Sequence, residues 1–503
     1  NGVLLYMFMV FLIKEPRGRS QISKIRPLLI SLLFVSHPVL TEAVNGVSFR
    51  EDLLAFLFYM ATLNLYLMLR ASRVSNSQFT LPVLYFLSCL TYFLALLSKE
   101  MAGTLPLILY CYESLYSDKN RSSFAAFLNR YNSSYIVITF AYLYLRFYYF
   151  QNINEAKLAG WSIFERICTV PWLILNHLKL SLFPFSLSAD YIIEPIREVL
   201  SLSFIMPLFV VTILIVIALF KGRLAAFGIL FFIATLIPVY NIIPIANPMA
   251  ERYLYLPMAG FVLVFFTAFE IQTLKHERQG LYILILIIAI ISLYGIAVAK
   301  RNKIWENEYV LWSDTVNKMP DSGRAHLNIG LAYLNLRRFD EAERELKMAI
   351  KLNPTDSIGR NNLGRTYYKR GIIDKAKQEF NSSLSINSKD PDTYNMLGII
   401  SVDQGHFEMG ILQFQTALRL NPYDASVHTN IGVAYYRTGQ FDKAIQQYQK
   451  AIELNPEYIE AHYNLGNVYL TKRLKDKAQK EFETTLRLQV NYLPARQALE
   501  SIK

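Results

Sequence analysis

Cysteine is scarce: Cys89, Cys111 and Cys168 are the only three in 503 residues, with no CxxC and no ligand spacing among them. That excludes a disulfide framework or a cysteine metal site as the organising principle of the fold. Blocks of like charge are also missing. The formal net charge of +12 is dispersed, which leaves a nucleic-acid partner without support. Charge of either sign is sparse over the first 300 residues, which carry 23 Lys/Arg and 15 Asp/Glu between long apolar runs. The last 203 are dense and mixed in sign, with 28 and 24, as on a solvated surface. With 53% hydrophobic residues and a mean hydropathy of +0.25, the chain reads as a membrane protein with a soluble part attached. Apolar segments fall at approximately 1–13, 26–47, 53–69, 79–97, 101–116, 133–150, 167–187, 201–220, 224–246, 253–270 and 279–299.

Loop charges orient these segments. "KEPRGRSQISKIR" has five bases and one acid and belongs on the cytoplasmic side. Alternation from there puts Arg70, Arg73, Lys119, Arg121 and Arg130 inside, with "KGR" and "KHER". It puts His37–Asp52, Ser98–Glu100, "SADYIIEPIRE" and "NPMAERY" outside. Segment 167–187, with Asn176, His177, Lys179 and two prolines, reads as interfacial or re-entrant. The soluble half then lies outside.

The stretch "HPVLTEAVNGVSFRED" is too polar for a simple crossing. At helical spacing His37, Thr41, Asn45 and Ser48 share a stripe with Glu42 beside it. Pro38 lacks an N–H, so a kink or break is expected there. The run before it, "RPLLISLLFVS", is too short to cross about 30 Å of hydrocarbon at about 1.5 Å per residue, so part of the stripe must lie at membrane depth. Ionisable groups there usually face a cavity or a partner.

The soluble half repeats. Gly330, Gly364, Gly398, Gly432 and Gly466 recur every 34 residues, with Ala342, Ala376, Gly410, Ala444 and Ala478 twelve further on. This is the tetratricopeptide (TPR) pattern, an α-solenoid of helical hairpins. Small residues let two helices touch, and Phe380, Phe414 and Phe482 are expected to fill between hairpins. The domain reading is a multi-pass membrane domain over 1–300, a half-repeat cap and linker over 301–320, five repeats over 321–490 and a capping helix over 491–503. The fold class is all-α. Asn328, Asn362, Asn430 and Asn464 stand two residues before a glycine and are expected to face the concave groove. There their amides suit the backbone of an extended acceptor peptide. Met396 interrupts the series.

The outer face on this layout gathers a mixed patch. Arg252, Arg50 and Lys99 suit a phosphate headgroup. Glu42, Asp52 and Asp190 are candidates for deprotonating a hydroxyl, and such carboxylates also suit a divalent ion. His37, Thr41, Asn45, Glu51, Glu100, Tyr191, Glu251 and Tyr253 complete the expected pocket. "HPVLTEAVNGVSFREDLLA", "LLSKEMAGTLPLILYCYE", "LSADY" and "AERYLYLPMAGF", followed by the repeats, resemble the transmembrane and TPR O-mannosyltransferases and their bacterial relatives, which are GT-C-type glycosyltransferases. The resemblance implies a polyprenyl-phosphate sugar donor, with mannose in eukaryotic members, and a protein hydroxyl as acceptor. It implies extracytoplasmic repeats, in the periplasm of a bacterium or the lumen of the endoplasmic reticulum. Leu40 departs from relatives that often carry His. The family's acidic catalytic loop is expected before Asn1, which opens partway into an apolar run. Two other readings share the layout: a membrane-anchored repeat scaffold for envelope assembly or export, and a lipid-linked polysaccharide polymerase or ligase.

Overall fold

Each apolar run carries a helix in the computed structural model, which describes residues 1–13, 25–74, 80–116, 132–149, 161–242, 245, 247–268 and 277–502. The chain divides into two compact units, Asn1–Pro320 and Asp321–Lys503. The described residues are helical with no strand.

The first unit runs through α1 (Gly2–Leu12), α2 (Arg26–Val35), the short α3 (Thr41–Asn45), α4 (Arg50–Val74), α5 (Thr80–Ser98), α6 (Leu105–Tyr116) and α7 (Asn132–Tyr144). It continues through α8 (Ile163–Leu182), α9 (Leu202–Lys221), α10 (Arg223–Thr235), α11 (Met258–Ala268), α12 (Glu277–Ile304) and α13 (Glu308–Lys318). Among the described residues four stretches, Arg50–Ala71, Leu81–Ser98, Leu202–Lys221 and Leu281–Ile304, are long and apolar enough to cross a membrane. The pair Arg26–Val35 and Pro38–Asn45 is long and apolar enough only when taken together, as a broken span or a re-entrant loop, and is bent by 51° where Pro38 was expected to break the helix. Phe209 and Phe220 of α9 are exposed at 62% and 88%. Such a surface suits hydrocarbon and would be a liability in water. Segment 167–187 lies in α8 as far as Leu182 and continues as turn and loop, and α8 is started by a capping box between Ser162 and Glu165. It is not among the four spans. The half-repeat cap is α13, and α12 runs on to Ile304, past the expected boundary at 300.

Two glycines set the spacing of α10 and α11. A Cβ on Gly228 would stand 2.9 Å from the Gly260 carbonyl oxygen, and one on Gly260 would stand 2.5 Å from that of Gly228. The backbones therefore touch, as small residues allow in membrane packing.

The second unit is five helical hairpins: Gly323–Asn335 with Phe339–Leu352, Ser357–Lys369 with Ile373–Ile386, Pro391–Asp403 with Phe407–Leu420, Ala425–Arg437 with Phe441–Leu454, and Ile459–Thr471 with Lys475–Leu488. Leu493–Ile502 caps the array. Each repeated glycine faces a large side chain sixteen residues on. A Cβ at Gly364, Gly398 or Gly466 would come within 2.5–2.8 Å of Phe380, Phe414 or Phe482. These rings thus close their own hairpin, and Phe380 and Phe414 also pack with the next one, against Leu397 and Ile400 and against Val427 and Ile431. The turn between paired helices needs a left-handed residue. Gly371, Gly405 and Gly439 supply it at φ 77°, 81° and 74°, while Arg337 and Arg473 adopt φ 58° and 60°.

Candidate functional site

The broken helix delivers one carboxylate to a cluster and spends its other polar groups on structure. His37, buried at the break, accepts from the Val39 N–H through Nδ1 at 3.3 Å. Its Nε2–H therefore donates to the Ser181 carbonyl of α8 at 2.9 Å. The Thr41 hydroxyl donates to the Pro38 carbonyl at 2.8 Å, and the Asn45 amide to Asn302 of α12 at 2.8 Å. These three residues hold the hinge and do not form one pocket wall.

Glu42 is the exception, 2% exposed and turned toward the single helical turn Glu251–Leu254. Its Oε1 accepts from Arg252 Nη1 at 2.5 Å and its Oε2 from the Arg252 backbone N–H at 3.0 Å. The guanidinium lies 4.3 Å from the Phe49 ring centroid and 4.9 Å from that of Tyr253. Lys99 approaches the same Tyr253 ring at 5.7 Å and pairs with Asp52 at 2.6 Å and Glu51 at 3.5 Å. Asp52 Oδ2 is buried and has no hydrogen-bond partner among the described residues. Tyr253 is fixed by donating to the Asn247 carbonyl at 3.0 Å. Arg50 is exposed, and Glu100 turns away to Arg146 at 3.4 Å. Of the residues singled out in the sequence, Glu42, Glu51, Asp52, Lys99, Arg252 and Tyr253 come together.

Glu251 serves a second network although it adjoins Arg252. It is fully buried and accepts from Arg301 Nη2 at 2.8 and 3.0 Å and from the Tyr191 hydroxyl at 2.8 Å. Burial pushes the Glu251 carboxyl upward from its ordinary value, and the Arg301 guanidinium opposes that shift. Burial also pushes the Tyr191 hydroxyl well above its usual range, so it stays a donor. Arg301 Nη1 donates to the Leu187 carbonyl at 2.7 Å, which also accepts from Lys318 at 2.8 Å, and Lys318 pairs with Asp314 at 2.7 Å. Asp190 lies buried in the loop beside Tyr191. Sequence reasoning missed Arg301, Asp314 and Lys318, because Arg301 ends an apolar run and looks like an ordinary membrane flank.

The carboxylates do not fit a divalent ion. Both oxygens of Glu42 already accept from Arg252, one from the guanidinium and one from the backbone N–H, one oxygen of Asp52 is paired with Lys99, and no three His, Cys, Asp or Glu side chains among the described residues form a metal-holding group.

In the repeat unit the asparagine series is uneven. The amides of Asn328 and Asn362 donate within their own helices, to the carbonyls of Arg324 at 2.8 Å and Ile358 at 2.9 Å, and Asn362 is 4% exposed. Asn430 pairs with Asn395 at 2.9 Å. Asn464 lines a hollow of about 350 Å³ with Asn467, Tyr436, Arg437 and Thr471. The expected ladder is thus reduced to its C-terminal end.

Models of the tetratricopeptide repeat match residues 323–356, 414–446, 434–472 and 459–489. A protein O-mannosyl-transferase of Caenorhabditis elegans is 28% identical over 337 residues, covering 65% of this chain and 46% of that protein. Human protein O-mannosyl-transferase TMTC3 is 26% identical over 401 residues, covering 64% and 42%. The chain is a relative of the protein O-mannosyl-transferases. It spans less than half the length of these curated relatives. Among solved structures, the TPR protein YrrB, described as having an unusual peptide-binding site, covers 38% of this chain and 97% of its own at 20% identity and a TM-score of 0.29.

Proposed function

We propose that this protein is a membrane glycosyltransferase that moves a mannosyl group from a polyprenyl phosphate to hydroxyl groups of protein chains, with the repeats on the extracytoplasmic side. The names of its relatives support the reaction class. The observation that carries the site is the pair of cations, Arg252 and Lys99, brought to one tyrosine ring beside a broken apolar helix.

The acceptor oxygen attacks the anomeric carbon as the bond from that carbon to the phosphate oxygen breaks, and the lipid phosphate leaves with the bonding pair. Arg252 Nη2, which among the described residues meets only Tyr253 at 3.5 Å, and the remaining Lys99 N–H donors stabilise the charge that grows on the leaving phosphate. Glu42 fixes the guanidinium in place. The acceptor proton needs a carboxylate oxygen. Asp52 retains one at Oδ2, whereas Glu42 has none to spare. The acceptor chain binds toward the C-terminal repeats, along the hollow at Asn464.

Arg252→Lys keeps a cation against Glu42 and removes the second guanidinium arm. In the full-length protein, with a polyprenyl-phosphate mannose donor and a protein acceptor, transfer is expected to fall about tenfold to a hundredfold, the equivalent of losing one charge-assisted contact. Near-normal transfer by a folded, membrane-inserted Arg252→Lys protein overturns the donor assignment. Cysteines introduced at the exposed Ser48 and Gln440 should both react with an impermeant thiol reagent from the extracytoplasmic side. Labelling of Ser48 alone places the repeats in the cytoplasm.

A further inference from the structure

A second pocket lies at the far end of the first unit from Glu42 and Arg252. It holds about 180 Å³ where the end of α1, the start of α2, the α9–α10 junction and the end of α11 converge. Helix lengths separate it from the charged cluster. The ten residues of α2 and the eleven of α11 each rise about 15 Å at about 1.5 Å per residue. Three cations line it, Arg26, Lys221 and Arg223, above a floor that includes Ile13, Ile30 and Phe266. No carboxylate lines it among the described residues, and no ion pair there engages Lys221 or Arg223.

Depth fixes the kind of anion. α9 is a 20-residue apolar span of mean hydropathy 2.9 with few buried residues, and Lys221 is its last residue. Twenty residues rise about 30 Å, the thickness of the hydrocarbon layer, so Lys221 stands at one boundary of that layer where lipid phosphates lie. Gly222, at φ 116°, turns the chain in a single residue and sets Arg223 at the same level. The volume is below the roughly 300 Å³ at which pockets for drug-sized ligands begin, so it takes a headgroup and not a whole lipid. An apolar floor under cations at the membrane boundary matches the first carbons and the phosphate of one amphiphile. Basic pockets between helix ends on the cytoplasmic side bind anionic headgroups in other membrane proteins.

We infer that Arg26, Lys221 and Arg223 form a binding site for the phosphate of an anionic membrane lipid, on the membrane face opposite the proposed transfer site. The site is separate from the donor phosphate, because the lengths of α2 and α11, about 15 Å each, stand between the two.

The probe is phosphatidylglycerol, offered as a minor component of phosphatidylcholine nanodiscs holding the full chain, with retained lipid read by native mass spectrometry after detergent transfer. The unsubstituted protein should retain phosphatidylglycerol. The Lys221→Gln/Arg223→Gln protein should retain at least about tenfold less, and the charge-preserving Lys221→Arg/Arg223→Lys protein should keep most of it. The charge-preserving protein separates a binding defect from a folding defect. Equal retention by the charge-removed and charge-preserved proteins overturns the site. Displacement by inorganic phosphate alone overturns the lipid as its source and assigns the pocket to a soluble anion.

Discussion

Glu42 accepts two hydrogen bonds from Arg252, one from the guanidinium and one from the backbone N–H, across 210 residues of sequence. The pair therefore fixes both a side chain and the path of the turn that carries it. It also joins the hinge of the broken helix to the loop before α11, and it leaves Glu251 free to turn toward Arg301.

Breaking this pair from one side should cost more than removing it. Arg252→Met leaves a carboxylate 2% exposed without its cation, and such losses run to about 3–5 kcal/mol. The double variant Glu42→Leu/Arg252→Met removes both charges and should recover most of that. Thermal unfolding of the four proteins in detergent reads the coupling. Simple additivity of the two single losses would mean that the pair does not act as a unit.

Gly260 tests the glycine contact between α10 and α11. A valine there has to displace the Gly228 carbonyl and the Phe232 N–H, which lie 2.5 and 2.7 Å from the new Cβ. Overpacking of this sort typically costs about 1–3 kcal/mol. The loss should appear as a lower unfolding temperature. Because α11 leads out of the Glu251–Leu254 turn, it should also reduce transfer. A neutral Gly260→Val would show that the helices can part without consequence.

The repeats were legible because their signal is local and repeated: one glycine every 34 residues, and a hairpin that closes on a residue sixteen further on. The break at Pro38 was legible for the same reason, since a missing N–H acts on its own helix. The site was only partly so. Residues adjacent in sequence, Lys99 and Glu100 or Glu251 and Arg252, look like simple surface pairs, yet each sends its two charges to different partners. Those partners lie 46 to 210 residues away, and no periodicity encodes that distance. The asparagine series misled in the opposite way. Its spacing was regular, but amides on a helix can bond the carbonyl one turn back, as Asn328 and Asn362 do.

Arg337 and Arg473 occupy the turn position that glycine fills in the other three repeats. A left-handed conformation costs a residue with a Cβ about 1–2 kcal/mol, offset in part by the larger conformational freedom of glycine in the unfolded chain. Each of Arg337→Gly and Arg473→Gly should therefore stabilise the repeat unit by up to about 1 kcal/mol. Among the described residues Arg337 carries no hydrogen bond from its side chain to lose, whereas Arg338 beside it pairs with Glu341 and must be left intact. Denaturant unfolding of residues 321–503 measures the change. A loss of stability in both would place a favourable contact of the arginines above the backbone cost.

His462 should make the last repeat sensitive to pH. Its Nδ1 faces the Glu481 carboxylate at 2.6 Å and its Nε2 faces the Pro456 carbonyl at 3.0 Å. Both nitrogens meet acceptors, so both need protons, and the charged imidazolium is favoured. The hydrogen bond to Glu481 accordingly raises its pKa above the ordinary 6.5. A histidine raised in the folded state contributes stability that is complete below its unfolded pKa of about 6.5 and is lost as pH rises through the folded value. The unfolding midpoint of the repeat unit should thus fall as pH is taken from 6 toward 8. His462→Gln, which keeps a donor toward Glu481 but cannot gain charge, should flatten that slope while lowering stability at pH 6. His428, one repeat earlier, faces the neutral Gln447 at 2.8 Å and supplies the internal comparison. His428→Gln should leave the slope in place. Loss of the pH dependence in the His428 variant, with retention in the His462 variant, would assign the effect to the wrong repeat and sink this account.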